Sequence, residues 1–464
     1  MTEIDTKLSK EQNATLFVVL VTNFVIPFSI TSLNIAVPHI GAEFRITAGH
    51  FTWIVLLFSL TTVILTIPFG RMADIRGREN ILKWGIFLIG AASLASVFAN
   101  DLALFFVFRV LQGVGGAMVF ATNVSILVDA IPANRRGGLL GIAVAAVYTG
   151  MACGPAIGGI ITHNFGWRGV FVLMALLSVI ALVAAILRLP KKEVNVTQKN
   201  PNLTSLILFM AAIGLVAYGF TTIMQNFWSY IILAAGIVIT ILFVKHELHT
   251  ETPVIDIRLL KNNPDFTNSN VAALFNYAAT FAIAYLMSIY LQLVKGLDAD
   301  ISGIILISQP ILQTIVSPFA GRLSDKRSPY ALASFGMALC TASLFMLAFV
   351  SETTPVSYVI VALLLVGIGF GFFASPNSNI IMSSVSRNDY SMASAVQSTA
   401  RSLGQVICMA VITIIMNAVV GNQNIEEAPK SDIVLDMHIS FAVLAAVCFT
   451  GIFFSAKRRQ KNAE

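Results

Sequence analysis

Apolar residues in this chain come in unbroken runs of about twenty, as in Leu203–Thr222 and Trp228–Val244, separated by short charged or turn-forming stretches. At 1.5 Å per residue such runs match a hydrocarbon layer of about 30 Å. Bounding each run by charge or turn residues predicts fourteen membrane helices, at 15–37, 50–69, 81–99, 102–128, 138–162, 168–188, 203–222, 228–245, 267–293, 302–320, 330–350, 355–383, 391–419 and 438–456. A transmembrane β-barrel is excluded, because its strands would alternate apolar and polar residues over roughly ten positions. The polar stretch Met1–Ala14 leads into a full-length span with Pro27 and Pro38, which reads as a retained first helix and not a signal peptide. An even number of spans places both termini on one side.

Composition agrees: 57% of residues are hydrophobic and 11% charged, against about 25% charged in a soluble domain. So few charges cannot wet a globule of 464 residues, which excludes a soluble enzyme, a disordered chain and a secreted disulfide scaffold. The net charge of +6 does not point to nucleic acid, because the bases sit in short loops between spans and not on one face. Cys153, Cys340, Cys408 and Cys448 stand alone in apolar runs, and the histidines lie near span ends, so neither a metal nor a cofactor is expected. The loop bases set the orientation. With the N-terminus cytoplasmic, 23 fall inside and only Arg45, Arg168, Lys295 and Lys430 outside; Arg109 and Arg401 lie within spans. The expectation is a multi-pass plasma-membrane (inner-membrane) protein, both termini cytoplasmic, working in the lipid bilayer as a monomer.

An internal repeat gives the architecture. Pro68-Phe69-Gly70-Arg71-Met72-Ala73-Asp74 after the second span is echoed by Pro318-Phe319-Ala320-Gly321-Arg322-Leu323-Ser324-Asp325 after the tenth. Arg71 and Arg322, like Asp74 and Asp325, are 251 residues apart; Gly113, Gly115 and Asn123 recur as Gly367, Gly369 and Asn377 at 254. Spans one to six therefore match nine to fourteen, with seven and eight inserted. The division expected is a six-helix bundle at 1–190, a linker with two extra helices at 191–262 and a second bundle at 263–464. Such an all-α chain resembles the major facilitator transporters, which place substrate between two parallel six-helix halves.

Three strings carry the resemblance further. Gly70-Arg71-Met72-Ala73-Asp74-Ile75-Arg76-Gly77-Arg78 joins spans two and three. Gly70 suits a close helix approach, and Asp74 suits a helix N-terminus or an arginine across the cytoplasmic rim. The string is similar to the superfamily signature, apart from Ile75, where arginine is often found. The resemblance implies an inner gate of Gly70, Asp74, Gly77 and Arg78 with Arg322 and Asp325. In span four, Arg109 demands an interior setting and Gln112, three residues on, shares its face. This pair resembles the family's fourth-helix pattern linked to proton coupling. In Gly150-Met151-Ala152-Cys153-Gly154-Pro155-Ala156-Ile157-Gly158-Gly159 the glycines recur every four residues as a flat packing stripe, and Pro155 bends the helix. This string is similar to the fifth-helix motif of the antiporter members. With fourteen spans, the chain resembles the drug:proton antiporters that include multidrug and tetracycline exporters.

One departure shapes the substrate expectation. That branch often carries an aspartate in helix one, where Ser29 stands here, and sorting the 23 acids by span leaves none for the midplane. Asp129, at the inner end of span four, is the nearest candidate for the proton. A buried acid is what exchange of a cation against a proton generally requires, so a neutral, zwitterionic or anionic substrate is favoured. Polar residues on facing spans, Asn34, Asn123, Asn276, Tyr277, Gln309, Asn377 and Arg401, are the cavity candidates, with Tyr148, Tyr285 and Gln313 on or beside them. The function expected is proton-coupled export of drug-like or amphipathic small molecules by alternating access. Export or flipping of one endogenous metabolite or lipid is the alternative; a polytopic membrane enzyme would need clustered His, Asp or Glu at a membrane face.

Overall fold

The computed structural model describes residues 9–46, 51–130, 136–189, 202–223, 227–250, 257–324, 326–385, 390–421, 425 and 427–456. Among them there is no strand, and thirteen helices are long and apolar enough to cross a membrane. One of these, Arg136–Arg188, is two spans joined at Gly166, whose φ of 71° favours glycine. The fourteen expected spans are thereby all present: two six-helix bundles and an extra helical hairpin.

Several spans differ from their sequence bounds for local reasons. The first runs Lys10–Phe44, because Ser9 and Gln12 form a reciprocal capping box that starts the helix in the polar leader. The ninth is not continuous. Pro264–Thr280 breaks at Phe281 and Ala282, resumes as Ile283–Ile289 and ends in a π turn, Tyr290–Val294. The tenth is Ala299–Leu306 and Ser308–Ser324, and the last begins at Lys430, eight residues before its sequence bound.

The repeat reappears as contacts. Gly113 of the fourth span (Leu102–Ala130) packs on the Phe58 carbonyl and Thr61 of the second (Trp53–Arg76). Gly367 of the twelfth (Val356–Ser383) packs on the Gln309 carbonyl and Leu312 of the tenth. Likewise Gly115 meets Gly85 of the third span (Arg78–Val97), and Gly369 meets Gly336 of the eleventh (Pro329–Leu347). The offsets, 251 and 254, are those read from the sequence. At each contact at least one helix lacks a Cβ, so backbones approach closely in both halves.

The hairpin of spans seven (Leu203–Thr221) and eight (Trp228–His249) interlocks through Gly219 against Leu233 and Gly236 against Val216. Its seventh span touches both the second and the thirteenth (Tyr390–Val419). An apolar crevice of about 460 Å³ separates it from the second and fourth spans, lined by Trp53, Phe106, Val110 and Tyr218 among others. That crevice holds no charged side chain and does not lie between the halves.

Candidate functional site

The halves meet backbone to backbone between the fifth and tenth spans, on the side of the membrane where Gly166 lies. The glycine stripe of the fifth span works in two directions. Gly150 faces the Phe24 carbonyl, Gly154 faces Thr31 and Gly158 faces Ser32, all on the first span of the same half. Gly159 instead faces the Ala299 carbonyl of the tenth span, and Gly303 of that span faces the Pro155 carbonyl. Around this contact, Gln292 donates to the Ile35 carbonyl at 3.1 Å and the Thr52 and Thr413 hydroxyls share a hydrogen bond. Phe51, seated where a Cβ on Gly41 would collide with it, lies 6.4 Å from the Tyr285 ring. Each contact joins one half to the other.

Deeper along the same interface lies a polar cluster. Tyr148 of the fifth span reaches Gln313 and Ser317 of the tenth, with Tyr277 and Arg401 beside it. The Tyr277 hydroxyl in turn meets the Arg401 guanidinium. Among the described residues no acid pairs with Arg401, so the cluster carries uncompensated positive charge. Three buried amide atoms in or near the interface have no hydrogen-bond partner: Asn34 Oδ1, Gln292 Oε1 and Gln313 Nε2. Buried polar groups of this kind are normally satisfied, and a ligand or water between the halves would satisfy them. Arg401→Ala removes the positive charge of this cluster; a carboxylate-bearing substrate should lose affinity about ten- to a hundredfold, as for a charge-assisted hydrogen bond of roughly 1.5–3 kcal/mol, checked as a rise in KM.

Arg109 does not snorkel outward. It is 1% exposed, donating through Nε to the Ile54 carbonyl at 3.0 Å and through Nη1 to Gln112 Oε1 at 2.5 Å. Gln112 passes the chain on to Ser93 at 3.2 Å, and the Phe58 ring lies 5.1 Å from the guanidinium. The network crosses spans two, three and four of one half.

Other expectations need correcting. Among the described residues Gly70 does not mediate a close approach: a Cβ there would meet the Ala121 Cβ at an ordinary 3.9 Å. Gly77 is the glycine that segment requires, turning the chain at φ 92° between spans two and three. Asn123 accepts from Thr22 and donates to Asn23 of the first span, while Asn377 donates to the Ser269 carbonyl of the ninth. Both are therefore bound up inside their own halves instead of lining a cavity. Asn276 is fully buried beside Cys340 of the eleventh span; Gln309 is half-buried, and Arg322 is exposed. The side chains of Asp74 and Asp129, and Asp325 altogether, lie outside the described residues, and Arg71 and Arg78 do make contacts.

The acid count also changes. Asp436, placed outside the membrane by its sequence bound, is 1% exposed within the last span. Among the described residues neither carboxylate oxygen meets the distance and angle of a hydrogen bond; Ser440 and Tyr285 lie beside it. Its position was readable in principle, since Ile433, Asp436, Met437, Ser440, Phe441 and Leu444 share one helical stripe.

The sequence model of the Major Facilitator Superfamily matches residues 19–409 and again 269–463. The chain belongs to the Major Facilitator Superfamily. Like other members it is a transporter and not an enzyme, taking small-molecule substrates in a lipid bilayer. It is 28% identical to the riboflavin transporter RibZ of Clostridioides difficile, over 96% of this chain and 97% of that one. It is 25% identical to the multidrug resistance protein Stp of Mycobacterium tuberculosis, over 89% and 77%. A bacterial homologue of the human lysosomal transporter Spinster, solved in an inward-facing and occupied conformation, superposes with a TM-score of 0.71 at 14% identity, covering 97% of each chain. That likeness concerns the superfamily fold alone.

Proposed function

We propose that this chain is a proton-coupled exporter of amphipathic, drug-like compounds that are neutral, zwitterionic or anionic, working as a monomer by alternating access. The observation that carries this reading is Arg401, which no acid among the described residues pairs, set between Tyr277 and Tyr148 at the junction of the halves. Two phenol rings offer flat apolar faces, and the guanidinium with Gln313 offers donors to an acceptor-rich substrate. A cationic substrate would meet like charge there.

The cytoplasmic termini follow from the loop charges, which put the Gly166 end outside and make this conformation closed to the exterior. Protons would act through Arg109 and Gln112 and, in addition, through Asp436. Asp436 stands behind Tyr285, the ring that meets Phe51 across the closure. In this reading, wetting and drying of this position couple the Asp436 proton to opening. Asp436→Asn should leave substrate exchange intact and abolish acceleration by a pH gradient, compared as counterflow against gradient-driven uptake.

Kinship with RibZ over nearly the whole chain favours a second reading, a single flat heteroaromatic metabolite in the same site. Inverted vesicles energised by a pH gradient test both, with a panel of cations, zwitterions and anions that includes riboflavin. Several unrelated neutral or anionic compounds moving, each weakened by Arg401→Ala, supports the broad exporter. Riboflavin alone moving supports the second reading. Undiminished transport of a permanent dication by Asp129→Asn and Asp436→Asn variants contradicts the site as drawn.

A further inference from the structure

One cluster at the Gly166 end is unused by transport as described above. His163, near the end of the fifth span, faces Asp298 and Asp300 at the start of the tenth, and one ligand atom from each lies within 4.8 Å of the other two. His163 Nδ1 is 4.0 Å from Asp300 Oδ1. A second imidazole, His39 of the first span, stands near His163 and Asp298. The histidines belong to one half of the transporter and the aspartates to the other.

The backbone presets this spacing. Gly159, one turn before His163, is seated on the Ala299 carbonyl between the two aspartates, and Gly303 is seated on Pro155. Sliding either segment would drive backbone into backbone, so the donors are held in register whenever this end is closed. The set is one imidazole nitrogen and two carboxylates, a nitrogen and oxygen mixture typical of zinc with water as fourth ligand. Calcium and magnesium prefer six or more oxygens, whereas imidazole suits zinc, copper, iron or nickel. With metal–ligand bonds of about 2.0–2.2 Å, the ligand atoms need contract only modestly. His163 and Asp300 side chains are 45% and 34% exposed, which lets an ion enter from bulk water.

We propose that His163, Asp298 and Asp300 form a divalent transition-metal site that bridges the two halves and staples this end of the transporter shut. Opening the end separates the histidine from the aspartates and dismantles the site, so a bound ion opposes the transport cycle. Binding by itself does not depend on which substrate is carried.

The test is titration of the purified full-length transporter with zinc chloride, followed by calorimetry, and with cobalt(II), followed by its visible absorption. One ion should bind with micromolar affinity, cobalt giving the intense bands of a tetrahedral site. His163→Ala and Asp300→Asn should each weaken binding about tenfold or more, since changes even to residues that only support a ligand cost about 10–100-fold. In proteoliposomes zinc should inhibit transport by the unsubstituted chain and not by His163→Ala, whose transport without zinc is unchanged. Absence of submillimolar binding, or affinity equal in all three proteins, overturns the site. Binding that is lost in the variants yet leaves transport untouched overturns the staple.

Discussion

Gly303→Val should lower transport at least tenfold while the protein still inserts and folds. The glycine has no Cβ where the tenth span presses on the Pro155 carbonyl, and the obstacle is backbone, which cannot swing aside as a side chain can. Overpacking of this kind costs about 1–3 kcal/mol or more, but only in the conformation that closes the Gly166 end. The open conformation is spared. The population therefore shifts toward it, about tenfold for each 1.4 kcal/mol, and a cycle that must visit both states slows accordingly. Gly159→Val is the same experiment from the opposite half, since its neighbour is the Ala299 carbonyl. Cysteines replacing His163 and Asp300 read out the conformation: a short thiol cross-linker should join them in the unsubstituted background and fail in Gly303→Val. Normal transport with failed cross-linking would mean that this closure is not part of the cycle.

Arg109→Ala should reduce gradient-driven transport about a hundredfold. Two hydrogen bonds from a charged donor are removed, each worth roughly 1.5–3 kcal/mol, and the Gln112 oxygen loses the donor at 2.5 Å. Arg109→Lys separates charge from geometry. Lysine keeps the positive charge but has no planar fork to span the Ile54 carbonyl and Gln112 together, so it too should fail. If the network serves coupling, Arg109→Lys retains substrate counterflow and loses the response to pH. Equal loss of counterflow and pH response would instead make Arg109 a packing element of spans two to four.

Much of this was readable along the chain. Arg109 and Gln112 had to share a helix face at a separation of three, and a guanidinium at that depth had to point inward; the hydrogen bond follows from both. The doubled glycines at 113, 115, 367 and 369 announced two equivalent helix crossings before any coordinates. Asp436 lies where an apolar run is a poor guide. Charge at Asp432 and Asp436 ends the apolar run in the sequence, whereas the helix extends back to Lys430 and turns that carboxylate inward on the stripe of Met437 and Phe441. Gly70 departs in the opposite sense: among the described residues its nearest neighbour is Ala121, at ordinary contact distance.

Local chemistry by itself determined the membrane setting, the fourteen spans, the duplicated halves and the buried arginine. Each depends on neighbours within one helix or on a repeat visible as a constant offset, and the hydrocarbon layer forces the rest. Which glycines face the partner half, that Tyr148 and Arg401 converge, that Asp436 stands behind Tyr285 and that His163 meets Asp300 were decided only by tertiary structure. These pairings join residues more than a hundred positions apart across a helix–helix interface, where the rotation of each helix about its axis selects the contact.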